Sequence, residues 1–577
     1  MNEFERRLIK VEKTEDFLAF VSAEYMDRLG ETGDVSGTIT KLHNSNKIDV
    51  VKKFLEIQKE SQNYDFFSLK SIFEKILPEI VAPTLDVVCC VKKLILESGQ
   101  DGSTYWIIDP FIGYCSAEPK RVDEVIESEL NEIDIQVDLL TPAIIAGSKL
   151  SEEKYFNKAV ELLSHGSDEI VKRAIHALGR IEYGTRNDLV NQAFLKVAGV
   201  ASKGGSDEWL AAAVRPLVWL YKENDSLEEA LLGFLQDNNL YAGCLTAYAV
   251  SEILFREKEL DSSGILSSLL NLATKVQPKN LGTINNLDYA LARMIKNGHP
   301  GRAIEFVESL LNRSECKITL SNFKSFSGAL LESDHLSRVV TRWLQSGRTT
   351  LGRACHDLLS MDGETGIELA FDLSLVYPDE SDSHAFLARK ACGWLFTRPI
   401  SAISLLVSLV ENCPDDQLAV VSDIAFNPLL ISYPGSVRDY LGKQSTDGSE
   451  KVAIFSRGLL EKLESYHQGI RDASDIKELR PTDDQRFSYQ RYHQKQMSGI
   501  IEDAHKGSLM SIIGVQTSVL LYGRKSIQYV NRDEQKTRHE VPLQLISHSI
   551  EFPSLHNIDS EGLEHQLRWF KLEGCDR

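Results

Sequence analysis

The sequence predicts a mostly α protein: a central α-solenoid of repeated helical pairs, a helical region before it and a small α+β module after it. Three observations carry this. Apolar residues recur at helical spacing through most of the 577-residue chain. One helical segment returns at a distance that suits a helix pair, and near the C-terminal end the hydrophobic period switches towards two.

The segment that returns is Ser167 to Ile181. Ile170, Val171, Ala174, Ala177, Leu178 and Ile181 fall on one helical face, Ser167 stands at the N-cap position and two acids occupy the first turn. Small Ala174 and Ala177, with Gly179, allow close approach of a neighbouring helix. The Ser-Asp-Glu triplet reappears at Ser206, 39 residues after Ser167, followed by Trp209, Leu210, Ala213, Leu217 and Leu220. A weaker copy runs from Ala242 through Ala249, Val250 and Ile253, and a fainter one contains Leu287, Ala290, Leu291 and Met294. Periods of roughly 33 to 47 residues with one hairpin each characterise α-solenoids. Asp168, Val171, Arg173, Ala174, Ala177, Leu178, Gly179 and Ile181 make this segment resemble the second helix of a HEAT repeat. The resemblance covers one repeat well and the others loosely. It implies a binding scaffold and brings no catalytic residue with it.

Three regions follow from the patterning: 1–150 helical, 151–470 HEAT-like solenoid and 471–577 α+β. In the first, amphipathic stretches are predicted at Glu15 to Leu29, Ile48 to Ile57 and Leu69 to Ile80, and Pro83 starts another. Thr104 to Pro110 reads as a short strand or a buried loop. Between Glu118 and Asp138 eight carboxylates face only Lys120 and Arg121, a pattern of a solvated helix face or a docking surface for a basic partner. In the second region, helices are expected at Leu336 to Leu344, Thr365 to Val376, His384 to Phe396, Ile400 to Val410 and Val452 to Tyr466, with a loop at Ser445 to Ser449. In the third, Arg486 to Ala504 reads as a helix, Ser511 to Tyr522, Ser526 to Val530 and Val541 to Phe552 as strands, and Glu561 to Leu572 as a closing helix.

Composition narrows the functional classes. A charge of −20 works against a whole-surface binder of nucleic acid or acidic membrane. The 42% hydrophobic and 26% charged content is that of a globular chain. The sequence has no long apolar run and no apolar core of a secretory signal after its first residues, so a cytoplasmic protein with no membrane partner is expected. Nine scattered cysteines without a C-x-x-C pair indicate neither a disulfide framework nor a zinc module.

Chemistry-bearing motifs fail one by one. Gly442-Lys443-Gln444 lacks the glycine spacing and hydroxyl of a P-loop, and no H-E-x-x-H or G-x-S-x-G occurs. His548, Glu551, His556, Asp559, Glu561 and His565 cluster without a regular spacing that would aim them at one point. Asp533 to Lys536 contains a nuclease-like E-x-K fragment, but in turn material and without a partner aspartate. No catalytic residue, metal or cofactor is therefore expected.

Binding residues come from registering the repeats. His176, Arg215, Tyr248 and Tyr289 fall on one row outside the packed stripe, and Arg180, Trp219, Glu252 and Arg293 on the next. Arg, Tyr and Trp are residues that anchor interfaces. Packing between successive repeats would use the same aromatic residues. The expected function is a non-enzymatic protein-interaction scaffold or adaptor. The alternative is a nucleic-acid-binding or sensor subunit of a bacterial multi-protein complex, such as an antiviral defence system. It would act through 471–577, where Arg480 to Glu540 holds ten Lys or Arg against seven Asp or Glu and Arg486, Arg491 and Lys495 interleave with rings.

Overall fold

The structure, a computed structural model, describes the chain apart from residues 1–2, 14–16, 28–34, 100–102, 133, 263, 314–316, 362–365, 377–381, 477, 479–480, 507–519, 523–524, 533–534, 543–550 and 575–577. In the strands and parts of 493–506 it describes backbone alone. Helix accounts for most of the described residues, so the chain is mostly α. It divides into two compact units, 1–333 and 334–577. The pattern boundaries near 150 and 470 each fall inside one of them.

The first unit contains α1 (Glu3–Val11), α2 (Phe17–Asp27), α3 (Val35–Asn44), α4 (Val50–Phe54), α5 (Phe66–Ile76), α6 (Thr84–Ser98), α7 (Ile108–Cys115), α8 (Pro119–Asn131) and α9 (Leu140–Leu150). It continues with α10 (Glu152–Leu162), α11 (Asp168–Arg180), α12 (Asn187–Gly204), α13 (Asp207–Glu223), α14 (Glu228–Asp237), α15 (Cys244–Arg256), α16 (Leu266–Ala273), α17 (Leu281–Lys296), α18 (Pro300–Leu311) and α19 (Lys324–Leu331). Each odd-numbered helix from α5 to α19 packs on the next odd-numbered one. The even-numbered helices from α10 onward lie against this row, and α14, α16 and α18 touch one another in turn. This alternation begins upstream of the repeated sequence segment.

Close approach of α11 and α13 rests on Gly179, where a Cβ would stand 2.6 Å from both Cα and Cβ of Pro216. Polar contacts then join successive helices at a nearly constant separation in sequence. Lys172 meets Glu208 and Asp207 meets Gly243 at a separation of 36, Arg215 meets Glu252 and Asp288 meets Ser325 at 37, and Arg293 meets Phe255 at 38. The repeated Ser-Asp-Glu triplet serves this joining. Ser167 and Ser206 occupy N-cap positions but their side chains cap nothing. Asp207 reaches forward to the start of α15 and accepts from the N–H groups of Gly243 (2.8 Å), Leu245 (3.0 Å) and Thr246 (3.0 Å). These bonds, with the Thr246 hydroxyl, outweigh burial and hold its carboxyl below the usual range. Asp288 likewise reaches forward to the start of α19, accepting from the backbone N–H groups of Ser325 and Phe326.

Other expectations are corrected. Thr104 to Ile107 is a 3-10 turn leading into α7, because Thr104 and Ile107 are buried by consecutive turns of chain where a strand would need a partner. The acidic stretch is not wholly a solvated face, since Glu129 of α8 is fully buried between Lys92 and Arg173.

The second unit contains α20 (Leu336–Gln345), α21 (Thr349–Leu359), α22 (Ser383–Leu395), α23 (Pro399–Leu409), α24 (Asp415–Ile424), α25 (Ser436–Asp447), α26 (Glu450–Ser474), α27 (Asp483–Lys506), α28 (Ser554–Ile558) and α29 (Ser560–Leu572). No α-helix forms over the described part of Thr365 to Val376. There the Leu369 and Phe371 N–H groups donate to the Ser404 and Ser408 hydroxyls at 2.9 Å, holding the chain extended against α23 before a short 3-10 turn. Part of the loop expected at Ser445 to Ser449 is instead the end of α25, and Gly442-Lys443 lies within that helix.

Strands β1 (Leu520–Tyr522), β2 (Lys525–Arg532) and β3 (Gln535–Pro542) form an antiparallel sheet in sequence order, with Tyr529 opposite Arg538. β3 thus starts within residues read as turn material. The rest of Ser511 to Tyr522 and most of Val541 to Phe552 lie outside the described residues, as do Asp533, Glu534 and His548. Beyond the sheet, the chain packs on helices of the same unit. The Glu551 carboxylate accepts from the Ser436 N–H (2.8 Å) and hydroxyl (2.6 Å) at the start of α25. Fully buried Lys390 donates to the Phe570 and Lys571 carbonyls at 3.0 Å, and Arg389 grips Glu573 through two 2.8 Å bonds.

Candidate functional site

Four consecutive members of the odd-numbered row, α11, α13, α15 and α17, carry the residues that repeat registration selected. Their apolar stripes are consumed in packing, as Ile170, Leu178, Leu217, Val250 and Leu291 show. The opposite positions remain available. Leu245 and Tyr248 are 47% and 50% exposed, Phe255 43% and Tyr289 60%. Phe255 and Tyr289 meet edge to face with centroids 6.2 Å apart. Leu245 and Phe255 escaped registration because each stands alone in its copy, without a similar residue in the neighbouring ones.

Polar groups tie these rings into a continuous surface. Trp219 is half-buried; its ring lies 5.4 Å from that of His176 and 5.6 Å from the Arg215 guanidinium. Arg215 and Arg256 both approach Oε2 of Glu252 at 3.2 Å, and Asn286 donates to its Oε1 at 2.7 Å. Arg293 donates to the Leu254 and Phe255 carbonyls at 2.6 and 3.0 Å, closing the end of α15. Arg180 is exposed at the end of α11 and makes no ion pair among the described residues. Burial holds the His176 imidazole down to about 4; Asp138 opposes this, while Arg180 and Arg215 add to it. His176 is therefore neutral at physiological pH, its ring tilted at 57° against that of Trp219.

Two hollows adjoin on this face. One, of about 520 Å³, is lined by Ala211, Ala212, Ala249, Leu245 and Tyr248 and by the carboxylates of Asp138, Glu169, Glu208 and Glu252 with the cations they meet. The second, of about 570 Å³, is lined by Arg180, Trp219 and Arg256, with Tyr105 and Ile135 on its far wall. His176 and Arg215 border both. Beneath them lies a charge network that the sequence pattern did not reveal. Glu129 meets Lys92 at 2.7 Å and Arg173 at 3.0 Å, and Arg173 also meets Glu169 at 3.2 Å and Asp138 at 3.7 Å. Burial pushes the Glu129 carboxyl up, against the pull of Lys92 and Arg173.

The second group of selected residues lies on α27. Arg486, Arg491 and Lys495 are exposed, as are Phe487, Tyr489 and Tyr492, and the Arg491 guanidinium stands 4.9 Å from the Phe487 ring. Of the scattered His and acid cluster, Glu551 and Asp559 cap helices instead of converging. Among the described residues no group of three or more His, Cys, Asp and Glu is placed to hold a metal ion, and no helix is long and apolar enough to cross a membrane. Five described cysteines, Cys90, Cys115, Cys355, Cys392 and Cys413, are buried. Compared with known proteins, the sequence matches no family model and no curated protein.

Proposed function

We propose that this chain is a cytoplasmic, non-enzymatic interaction scaffold whose HEAT-like solenoid binds a protein partner through the face of α11, α13, α15 and α17. One observation carries the reading: Leu245, Tyr248, Phe255 and Tyr289 expose large apolar surface on consecutive helices, beside Arg215, Trp219, Arg256 and Arg293. Aromatic side chains supply contact area at low ordering cost, and buried aromatic and arginine anchors carry most of an interface's energy. Consecutive packing of the odd-numbered helices and the 36–38-residue spacing of their contacts support the solenoid reading.

Affinity purification with the full chain and with a Tyr248→Ala/Tyr289→Ala variant tests it. At least one protein should be retained by the wild type and lost from the variant while both melt alike. Identical captured sets would refute the assignment of this face.

A second reading is favoured by α27, whose Arg486, Arg491 and Lys495 stand exposed with three rings. In it the 471–577 α+β module binds nucleic acid by phosphate contact and stacking. A salt-dependent gel shift of the full chain, abolished by Arg486→Glu/Arg491→Glu, would establish it. Absence of any shift at low salt would remove it.

A further inference from the structure

A hollow of about 820 Å³ opens between the start of α6 and α8, and none of its lining residues belongs to α11, α13, α15 or α17. Part of the lining is apolar: Val81 and Leu85 are 66% and 55% exposed, with Ala82 and Pro83 between them. The rest is charged, and its charges do not balance. Five carboxylates, Asp86, Glu118, Glu124, Glu127 and Glu132, stand against two cations, Lys120 and Arg121. Both cations are already engaged. Lys120 meets Glu124 at 3.6 Å, while Arg121 meets Glu118 at 3.8 Å, donates to the Tyr114 carbonyl at 3.0 Å and stands 4.1 Å from the Tyr114 ring. Asp86, Glu127 and Glu132 are exposed and have no ion pair among the described residues. Asp86 is favoured by the first turn of α6, but Glu132 stands at the negative end of the α8 dipole and adds to it. The surplus continues past α8. A second hollow, of about 590 Å³, shares Glu127 and Asn131 with the first, and its two lysines, Lys154 and Lys158, are held by Asp123 at 2.8 Å and Glu161 at 3.0 Å. Glu127 is the unpaired acid of both. These carboxylates are spread along the surface, and among the described residues no three are placed to hold a metal ion.

We infer that this hollow takes a basic amphipathic segment of a protein partner, with apolar side chains against Val81 and Leu85 and Lys or Arg side chains spread over Asp86, Glu127 and Glu132. It is a second surface, independent of the reading of the α11 to α17 face. Charge decides the choice of occupant. With each cation of the lining already paired, an acidic segment would meet three uncompensated carboxylates, whereas a basic one neutralises them. The exposed apolar residues beside them then fix where along the acidic surface such a segment settles.

The test titrates the full chain into a fluorescein-labelled amphipathic Leu/Lys helical peptide, followed by fluorescence anisotropy, with Leu/Glu and Ser/Lys counterparts beside it. Because the chain carries a charge of −20, attraction to acidic surface in general must be separated from docking in the hollow. Glu127→Lys/Glu132→Lys is therefore compared with Glu305→Lys/Glu461→Lys, which makes the same change of charge at exposed positions outside both hollows. The first pair should weaken the Leu/Lys peptide by about tenfold and the second by less than about threefold, and Leu85→Ser should weaken it by about fivefold. If a reversal lowers the melting temperature, the matching Gln pairs replace both, with the same ordering expected. Equal weakening by the two double variants would reduce the binding to overall charge and overturn the inference. So would a Ser/Lys peptide that binds as tightly as Leu/Lys, binding indifferent to Leu85→Ser, or no preference for Leu/Lys over Leu/Glu.

Discussion

Replacing Glu129 with alanine probes the charge network under the candidate face. Glu129 is fully buried, Arg173 is 4% exposed and Lys92 19%. At neutral pH the substitution leaves two cations without their shared partner. Arg173 keeps Glu169 at 3.2 Å and Asp138 at 3.7 Å, so its loss is partial, whereas Lys92 loses the 2.7 Å contact that anchored it. Breaking one side of a buried pair costs about 3–5 kcal/mol, which in a unit of this size lowers the melting midpoint by on the order of 5–10 °C. Glu129→Gln retains the shape and one acceptor and should cost less. Because burial raises the Glu129 carboxyl, its protonated form is the one folding favours. Stability from that group is complete below the ordinary carboxylate range and lost as pH rises through the folded value. The wild-type midpoint, followed by differential scanning fluorimetry from acid to neutral pH, should therefore fall relative to that of Glu129→Gln as pH rises. A Glu129→Ala midpoint within about 1 kcal/mol of wild type would refute the reasoning, since that is how an exposed pair behaves.

Gly179→Ala should destabilise by about 1–3 kcal/mol, because its Cβ would collide with Pro216 backbone that cannot swing away; equal urea midpoints would exclude the close approach. Tyr248→Ala and Tyr289→Ala should shift stability by less than about 0.5 kcal/mol yet weaken partner binding by about 1–3 kcal/mol, as calorimetry with an identified partner would show. His176 should titrate near 4 by NMR; its lowered value means stability present above the ordinary histidine range is lost as pH falls through about 4, and a midpoint near 6.5 would show the ring to be solvated. Lys390→Met should release α29 by removing the donor to its last carbonyls, seen as faster proteolysis between 551 and 573; unchanged cleavage would show that Phe570 and Leu563 suffice to hold it.

Much of the helical architecture was legible because burial is periodic. Ile170, Ala174, Ala177 and Leu178 face inward at helical spacing, and Gly179 already announced close approach to a neighbour. Registration by the same periodicity set Tyr248 and Tyr289 off the buried stripe, and the structure finds both exposed. Which charges would meet was not legible. Arg215 with Glu252, Asp207 with the start of α15 and Glu129 with Lys92 and Arg173 are separated by tens of residues in sequence. Nothing in a single sequence distinguishes such a carboxylate from a solvated one, because its partner is chosen by helix packing. The same holds for Lys390 and the C-terminal helix, separated by about 180 residues. Periodicity follows from burying one face of a helix, a local property of the chain. Ion pairing and capping between helices depend on where distant faces come to rest, and only the tertiary structure decides that.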